Sequence, residues 1–312
     1  ELPNEFMSAI SLHNKKSEDR NARLLSMQDS ILEKIPCLAP KAELEKKPVL
    51  AEGEFEWGTV ITTPYRKEGV PCSNLVANLL MEIDGEKKKV LLQAPKNGFF
   101  YVIDRSNGKV LRAHPFAAVT WATHVDLETG RPVENPAVDY SENGSWVLPG
   151  PLGAHNWQAM SIDIEAGLAY IPTQENAFFY AIQEDYKKTG VYKRNPGRWN
   201  MGIEMSSLAQ NILNNLDAQP NPGGYLKAFD PLTGETKWSV PIPHYWNGGV
   251  LGTAGGLVFQ GDALGMFSAY DKGTGERLWE FNTYTSMLAP PITYEIDGEQ
   301  YVSILTGSGG GD

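Results

Sequence analysis

The sequence predicts an all-β protein, a β-propeller of four-stranded antiparallel blades, preceded by a helical or irregular N-terminal segment. Two observations support this prediction. From about residue 75 onward, short runs of β-branched, aromatic and aliphatic residues alternate with Gly, Asp, Asn and Pro. In addition, the pattern "AFDPLTGETKW" (228–238) recurs as "AYDKGTGERLW" (269–279), and this 41-residue spacing is typical of propeller blades.

Residues 1–75 differ from the rest and are predicted as a separate, unassigned segment, with the propeller portion covering 76–312. One amphipathic helix is expected at about 17–35, where Ser17 is suited to the N-cap and Pro36 ends the run. The apolar residues that share one face of this helix are Leu24, Met27, Ile31, Leu32 and Ile35. No motif that carries chemistry is visible in this segment.

The repeated pattern has a structural explanation. An Asp at the end of a strand accepts hydrogen bonds from turn amides, and Thr-Gly supplies a residue that tolerates a positive φ. The closing Trp is then expected to bury its ring between adjacent blades. Because each blade hides its apolar face only against a neighbour, the unit has to recur. The repeat therefore indicates packing rather than catalysis.

Weaker copies of the unit extend the pattern upstream. "YVIDRSNGKVL" (101–111) keeps the strand, the Asp and the Gly turn without the Trp, and its Asp104 precedes Asp230 by 126 residues, or three periods of 42. Between them, "WQAMSIDIEAGLAYIP" (157–172) carries another Asp-turn-Gly-strand unit, and "HVDLETGRPV" (124–133) repeats the Thr-Gly turn without strands that fit a blade. Only "EMSSLAQNILNNLDA" (204–218) has a helical period in this portion.

Charge and composition narrow the classes of function. The formal net charge of −11 disfavours nucleic-acid binding, since an acidic surface repels phosphate backbones. The sequence has no run of 18 apolar residues, so no membrane span is predicted. The first residues do not have the pattern of a signal peptide. Cys37 and Cys72 allow one disulfide without establishing it, and the missing Cys-x-x-Cys-His motif excludes covalent attachment of c-type haem to this chain.

Four longer stretches resemble the quinoprotein alcohol dehydrogenases, the pyrroloquinoline-quinone (PQQ) enzymes with an eight-bladed propeller. The resemblance covers about residues 75–312 and looks like the C-terminal portion of that family, whose tryptophan-docking motif is similar to the eleven-residue repeat. The stretches are "EIDGEKKKVLLQAPKNGFFYVIDR" (82–105), "PFAAVTWATHVDLETGRPVENP" (115–136), "GPLGAHNWQAMSIDIEAGLAYIPTQE" (150–175) and "WNGGVLGTAGGLVFQGDALGMFSAYDKGTGERLWEFNT" (246–283).

The resemblance implies a calcium-assisted oxidation of alcohols to aldehydes or ketones in the periplasm, with a cytochrome c or a quinone as electron acceptor. In "QAPKNG", Lys96 matches the family's basic residue at the PQQ carbonyl oxygens, where a cation stabilises the oxyanion that forms on hydride transfer. In "GAHNWQAM", Asn156 matches the amide that hydrogen-bonds PQQ, and Trp157 is expected to line the same chamber. His155 is expected to be structural, and the scattered histidines lack metal-ligand spacing.

The sequence also departs from the family. The stretch that corresponds to the family's catalytic aspartate, "RKEGVPCSNLVANLL" (66–80), contains no aspartate, and the family's vicinal cysteine pair is absent. Calcium prefers six to eight oxygen ligands, and none is assigned here. The catalytic base and the metal ligands are therefore left unknown.

Two functional hypotheses remain open at this stage. The chain is either a PQQ-dependent alcohol dehydrogenase, or part of one, or it is a catalytically incomplete propeller that serves as a binding or scaffold protein. A different ligand in the same pocket, such as a sugar, is a weaker third hypothesis. At about 42 residues per blade, residues 75–312 supply five to six blade lengths against the family's eight. The exposed edges would then be covered by another copy, by another polypeptide or by residues 1–75, or else the chain is a fragment.

Overall fold

The computed structural model describes residues 59–61, 76–192, 194, 202–205 and 207–307. All of them belong to one compact unit, Trp57–Asp312. The helix predicted at 17–35 and both cysteines lie outside the described residues. The boundary at residue 75 stays a prediction.

The described residues are mostly β-structure, as the sequence predicts. The strands are β1 (Thr59–Ile61), β2 (Val76–Ile83), β3 (Glu86–Gln93), β4 (Phe99–Asp104), β5 (Val110–Pro115), β6 (Ala122–Asp126), β7 (Arg131–Glu134), β8 (Ser145–Val147), β9 (Ser161–Asp163), β10 (Leu168–Glu175), β11 (Phe178–Tyr180), β12 (Gly223–Phe229), β13 (Thr236–Ile242), β14 (Val250–Gly252), β15 (Leu257–Gly261), β16 (Met266–Asp271), β17 (Arg277–Asn282), β18 (Ile292–Ile296) and β19 (Glu299–Ser303). Two short α-helices, α1 (Glu184–Thr189) and α2 (Leu208–Asn214), and 3-10 turns at Pro136–Val138 and Leu216–Ala218 complete the elements. Helix α2 confirms the helical pattern predicted within 204–218. No helix in the described part of the chain is long and apolar enough to span a membrane.

Three larger antiparallel sheets form the body of the structure, and we refer to them as blades 1, 2 and 3. Blade 1 has the order β1-β2-β3-β4-β5, blade 2 the order β9-β10-β12-β13, and blade 3 the order β14-β15-β16-β17. The pairs β6-β7, β8-β11 and β18-β19 form separate two-stranded sheets. The four-stranded meander expected of a propeller blade is therefore present in each blade, with β1 as an additional edge strand in blade 1.

The repeated eleven-residue pattern occupies the same place in blades 2 and 3. Ala228 pairs with Trp238 across β12 and β13, and Ala269 pairs with Trp279 across β16 and β17, each followed by a register shift. In blade 1 the same shift follows Val102, which pairs with Arg112. The last two strands of the three blades are thus structurally equivalent, and Arg112 stands where the other copies have Trp.

The turns inside the repeat are built as the sequence predicts. Asp230 Oδ1 accepts the amides of Leu232 and Thr233 at 2.8 and 3.2 Å, and Asp271 Oδ1 accepts those of Gly273 and Thr274 at 2.9 and 2.8 Å. Asp126 makes the same turn between β6 and β7, although these strands form an isolated pair rather than a blade. Because four backbone amides find acceptors in two short turns, the turns are stabilised locally before any blade packs on them.

Two apolar clusters join the three blades. One contains residues of blades 1 and 2, and its fully buried members include Phe100, Ile171 and Phe229. The other contains residues of blades 2 and 3, including Leu226, Trp238 and Val258. Blades 1, 2 and 3 therefore stack side by side through buried faces, as in a propeller.

The spacing of Asp104 and Asp230 suggested three blade lengths, and this interpretation is wrong. Blade 1 packs directly on blade 2. Some of the additional residues form β6-β7 and β8, which precede blade 2. The others form a segment inserted between the second and third strands of blade 2, from the end of β10 at Glu175 to the start of β12 at Gly223. We call this inserted segment, together with β8, the cap. The equivalent connections in blades 1 and 3 run only from Gln93 to Phe99 and from Gly261 to Met266.

Candidate functional site

Lys96 lies in the short loop that joins the second and third strands of blade 1. Its side chain is exposed, and its Nζ donates one long hydrogen bond, 3.4 Å, to the carbonyl of Pro151. Its own carbonyl accepts the amide of Ala154 at 2.9 Å. The ammonium group therefore remains available to a ligand while the backbone of the loop is fixed.

Gly153 allows the second loop to approach Lys96 closely. Its φ is +84°, and a Cβ at this position would lie 2.7 Å from Lys96 Cα and 2.6 Å from Lys96 Cβ. Both the positive φ and the short approach require glycine. The "GAHNW" stretch is consequently held directly against the "QAPKNG" loop, which brings two of the sequence-predicted site segments together.

Asn156 is buried, with 6% of its surface exposed, and its Nδ2 donates to the carbonyl of Leu152 at 2.9 Å. This bond closes the loop on itself four residues back along the chain. Trp157, the next residue, is 44% exposed and contacts Trp246 edge to face, with ring centroids 6.2 Å apart. The structure therefore places Asn156 as a support of the loop and leaves the Trp157 indole partly exposed.

His155 is fully buried and has no free ring nitrogen. Nδ1 lies 2.6 Å from the carbonyl oxygen of Ala94, and Nε2 lies 2.6 Å from that of Gln158. Burial lowers the pKa of His155, although both carbonyl contacts favour the protonated ring. Since both nitrogens are occupied by backbone oxygens, His155 joins the loop to blade 1 and is not placed to act as a base.

Buried amides lie at the same end of the blades. Gln174 and Gln260 lie near the ends of β10 and β15, which are the second strands of blades 2 and 3. Lys96 follows β3, which is the corresponding strand of blade 1. Gln158 lies in the loop that leads into β9. All three are at most 2% exposed, yet Gln158 Oε1, Gln260 Oε1 and both amide atoms of Gln174 have no protein partner among the described residues. Such groups require water or a ligand.

A cleft of about 360 Å³ opens beside Lys96. On one side it is bounded by Lys96, Asn97 and Trp121, and on the other by Tyr140 and Tyr180. Of these residues, only Lys96 is a site residue predicted from the sequence. Neither Asn156 nor Trp157 lines the cleft, so the three predicted site residues share one neighbourhood but do not converge on one cavity.

Within the described ranges, no group of three or more His, Cys, Asp and Glu side chains is arranged to hold a metal ion. Three of the described histidines contact protein groups: His114 contacts the carbonyl of Leu232, His124 contacts Thr123 Oγ1, and His244 stacks on Tyr245. The described part of the chain therefore does not fit a calcium site.

The architecture is that of a β-propeller: four-stranded blades stack side by side, and in blades 2 and 3 the strand after an Asp-Gly turn contains a Trp. A family model described as PQQ, the β-propeller domain of glucose, ethanol and alcohol dehydrogenases, matches residues 122–302, more than half of the chain. The chain thus belongs to the family of PQQ-dependent glucose, ethanol and alcohol dehydrogenases, whose β-propeller domain it matches.

Relatives with curated descriptions agree with this assignment. Quinohemoprotein alcohol dehydrogenase ADH IIB of Pseudomonas putida is 46% identical over 83% of this chain and 36% of its own length. The 1-butanol dehydrogenase (cytochrome c) of Thauera butanivorans is 41% identical over the same shares of the two chains. The crystal structure of quinohemoprotein alcohol dehydrogenase from Comamonas testosteroni matches with a TM-score of 0.64 at 38% identity, over 74% of this chain and 34% of that one. The chain therefore spans about a third of the length of the relatives it matches.

The described residues fit PQQ in part. Lys96 offers a cation with only a long hydrogen bond of its own, and Trp157 offers a partly exposed aromatic ring. The Nδ2 of Asn156 is already used by Leu152, which leaves its Oδ1 as the group available to a ligand. The unpartnered amide atoms of Gln158, Gln174 and Gln260 show that this end of the blades is equipped for polar partners that the protein alone does not supply.

Proposed function

We propose that this chain is part of a PQQ-dependent alcohol dehydrogenase that oxidises alcohols to aldehydes or ketones. The observation that supports the proposal most directly is Lys96, whose exposed ammonium group stands on a backbone fixed by Ala154 and Gly153. A cation held in place before the reaction stabilises developing negative charge without reorganisation. The named alcohol dehydrogenases among the relatives favour this function over a purely structural propeller.

In this proposal each residue of the chain has a separate task. PQQ, when bound, would supply the acceptor for a hydride from the alcohol carbon. Lys96 neutralises the charge that this transfer places on carbonyl oxygens, and Trp157 supplies an apolar face for a flat ring. Asn156 holds the loop that precedes Trp157 by donating to the carbonyl of Leu152, and this loop in turn contacts Lys96 through Ala154. We assign no residue to the general base, because no carboxylate lines the cleft among the described residues.

The partners and the compartment follow from the same proposal. Electrons leave to a cytochrome c, as the name of the Thauera butanivorans relative indicates for that enzyme, or to a quinone. A periplasmic location and a calcium ion that assists the oxidation are inferred from the family. Because the described residues hold no cluster for a metal, calcium would have to be bound by other residues. Another chain, or further sequence, would complete the propeller around blade 3.

The test is a titration of the purified protein with PQQ, in which the quenching of tryptophan fluorescence measures binding. Lys96→Ala should weaken PQQ binding about 10-fold or more, because a hydrogen bond to a charged group is worth about 1.5–3 kcal/mol. Lys96→Arg should restore part of the affinity. Lys237→Ala is the matched control, since Lys237 is an exposed lysine paired with Glu235 away from the site. Equal PQQ affinity in the wild type and Lys96→Ala would contradict the role of Lys96.

Alcohol-dependent reduction of a dye, with PQQ and calcium added, then tests the activity itself. Turnover that is lost with Lys96→Ala supports a dehydrogenase. Binding of PQQ without turnover would show that the base or the metal site is not supplied by this chain. A complete absence of quenching by PQQ would refute the proposal and favour a propeller that serves as a scaffold protein.

A further inference from the structure

The cleft beside Lys96 lies between the propeller and the cap. Lys96, Asn97 and Trp121 form the propeller side. Tyr180 belongs to β11 and Tyr140 to the segment before β8, so the other side is formed by the cap and the chain that leads into it. Cavities between a rigid body and an inserted segment are frequent sites of ligand binding. The proposed function assigns Lys96 to PQQ and leaves the aromatic walls of this cleft without an occupant.

The propeller side of the cleft is rigid. Trp121 Nε1 donates to the carbonyl of Asn97 at 3.0 Å, and its ring meets Phe99 edge to face at 6.3 Å. Asn97 is in turn held by Tyr101, because its Nδ2 donates to the Tyr101 hydroxyl at 2.8 Å. The wall is therefore formed before any ligand arrives, which reduces the entropy lost on binding.

The cap side is also fixed from behind. β11 pairs with β8 so that Tyr180 stands opposite Ser145 and Phe179 opposite Trp146. The Trp146 indole packs edge to face on Phe179 at 5.5 Å, and its Nε1 donates to the carbonyl of Asn215 at 2.9 Å, just after α2. Tyr140 then packs against Tyr180, with ring centroids 5.7 Å apart. Two aromatic rings thus face the cleft from a supported sheet.

The chemistry of the walls selects the ligand. Lys96 is the one charged side chain among the described lining residues, and three aromatic rings line the cleft with it. Aromatic rings prefer partners that are offset-stacked or edge-on at about 4.5–7 Å. The cleft has a volume of about 360 Å³. A three-atom alcohol such as ethanol would leave most of that volume to solvent.

We propose that this cleft admits the alcohol and that Tyr140 and Tyr180 select alcohols with an aromatic body, with the hydroxyl group directed toward Lys96. The inference rests on the proposed function, and it adds the class of substrate and the residues that choose it. The cap is then an elaboration of blade 2 that provides a specificity wall above a site carried by blade 1. The selection acts through binding and involves no additional chemical step.

The first test measures binding of benzyl alcohol to the full chain by saturation-transfer NMR, without PQQ. Tyr180→Ala and Tyr140→Ala should each weaken binding about 2- to 10-fold, the range expected for one aromatic contact. Tyr180→Phe should bind as the wild type does, because it keeps the ring. Tyr186→Ala is the matched control, since Tyr186 is a 42% exposed tyrosine of α1 in the same cap that does not line the cleft. Tyr140 is 38% exposed, so its replacement leaves the fold intact even if Tyr180→Ala does not.

The second test compares kcat/KM for benzyl alcohol with kcat/KM for ethanol, with PQQ and calcium added. The ratio should fall about 2- to 10-fold in the tyrosine-to-alanine variants and stay unchanged in Tyr186→Ala. Turnover with an unchanged ratio would overturn the inference while the proposed function stands. Benzyl alcohol binding that depends on the two tyrosines, in a chain that shows no quenching by PQQ, would leave the cleft assigned and the proposed function refuted. A wild type that does not bind benzyl alcohol would overturn the inference.

Discussion

Trp238 and Trp279 close the same eleven-residue pattern, yet they lie in opposite environments. Trp238 is 9% exposed, and its Nε1 donates to the carbonyl of Lys272 in blade 3 at 3.0 Å. Trp279 is 48% exposed and contacts Phe267 and Phe281 of its own blade. The difference teaches that the repeat supplies one half of an interface between blades. The other half is the Asp-Gly turn of the next blade, and only Trp238 has one in the described structure.

The turn of blade 3 shows how the second half is built. The carbonyl of Lys272 accepts the Trp238 indole and, at 3.1 Å, the hydroxyl of Tyr170. Burial raises the pKa of Tyr170 to about 12, so this hydroxyl keeps its proton and remains a donor. The Lys272 ammonium group pairs with Asp163 of blade 2 at 2.8 Å. One residue therefore connects three groups of the neighbouring blade.

The largest effect should come from removing the two indoles. Trp238→Ala should cost about 3–5 kcal/mol of unfolding free energy, because it leaves a cavity in a buried interface and removes one of the two hydrogen bonds to the Lys272 carbonyl. Trp279→Ala should cost about 1 kcal/mol or less, since its ring is half exposed. Urea denaturation of both variants measures the difference. Equal losses would refute the comparison.

Glycine substitutions in two equivalent turns should separate strain from packing. Gly275 has a φ of +75°, and a Cβ there would lie 2.7 Å from Trp238 Cδ2. Gly108 occupies the same turn position in blade 1 with a φ of +77° and no atom within 4 Å. Gly108→Ala should cost only the strain of the left-handed backbone, about 1–2 kcal/mol.

Gly275→Ala should cost about 1–3 kcal/mol more than Gly108→Ala, because it also displaces the indole. Thermal unfolding of both variants, with the shift of the tryptophan emission of Gly275→Ala, checks this. A cost equal to that of Gly108→Ala would mean that Trp238 does not press on the turn.

His114 should produce a smaller loss at the interface between blades 1 and 2. Blade 1 has Arg112 at the Trp position, and His114 instead packs on the turn of blade 2: its Nε2 lies 3.1 Å from the carbonyl of Leu232, and a Cβ on Gly234 would meet its ring at 2.8 Å. His114→Ala should cost about 1–2 kcal/mol, less than Trp238→Ala, because less apolar surface is lost. Urea denaturation checks the order, and a loss as large as that of Trp238→Ala would show that the ring size is unimportant.

The smallest effect should be the acid sensitivity of the Asp163–Lys272 pair. Burial raises the pKa of Asp163, but the hydrogen bonds from Lys272 and Ala166 outweigh it, so the pKa lies below its ordinary value of 3.8. A carboxyl group whose pKa is lowered by folding stabilises the fold at any pH above its pKa in the unfolded chain. That contribution is lost as the pH falls through its pKa in the folded protein.

Asp163→Asn should therefore cost about 0.5–1 kcal/mol at neutral pH. It should also flatten the loss of unfolding free energy below about pH 4. Denaturation at pH 7 and at pH 3 measures both quantities, and an identical pH dependence in the variant would contradict the role of the pair.

The repeat made the blades predictable, because its Asp, Gly and Trp each have a local physical task. The strands around 99–104, 223–229 and 266–271 and the helix within 204–218 follow from composition and period alone. Two features did not follow. The insertion between Glu175 and Gly223 was hidden because the spacing of Asp104 and Asp230 happens to be a multiple of the blade length. His114 as a substitute for Trp depends on a contact with Gly234 that only tertiary structure shows.

The site was predictable only where the loops carry a family pattern. "QAPKNG" and "GAHNWQAM" directed attention to Lys96, Asn156 and Trp157, and the close approach at Gly153 explains why the two loops belong together. Tyr140 and Tyr180 carry no local signal, since they come from segments that meet only through the pairing of β8 and β11.

Hydrogen exchange of the indole N–H groups, observed by ¹⁵N-resolved NMR, tests the central claim most directly. The Nε1–H of Trp238 should be strongly protected, because it is buried and bonded to Lys272, and its protection should vanish with global unfolding. The Nε1–H of Trp279 should exchange at nearly the rate of free indole. Comparable exchange at the two positions would contradict the claim that a matching turn, rather than the repeat alone, buries the ring.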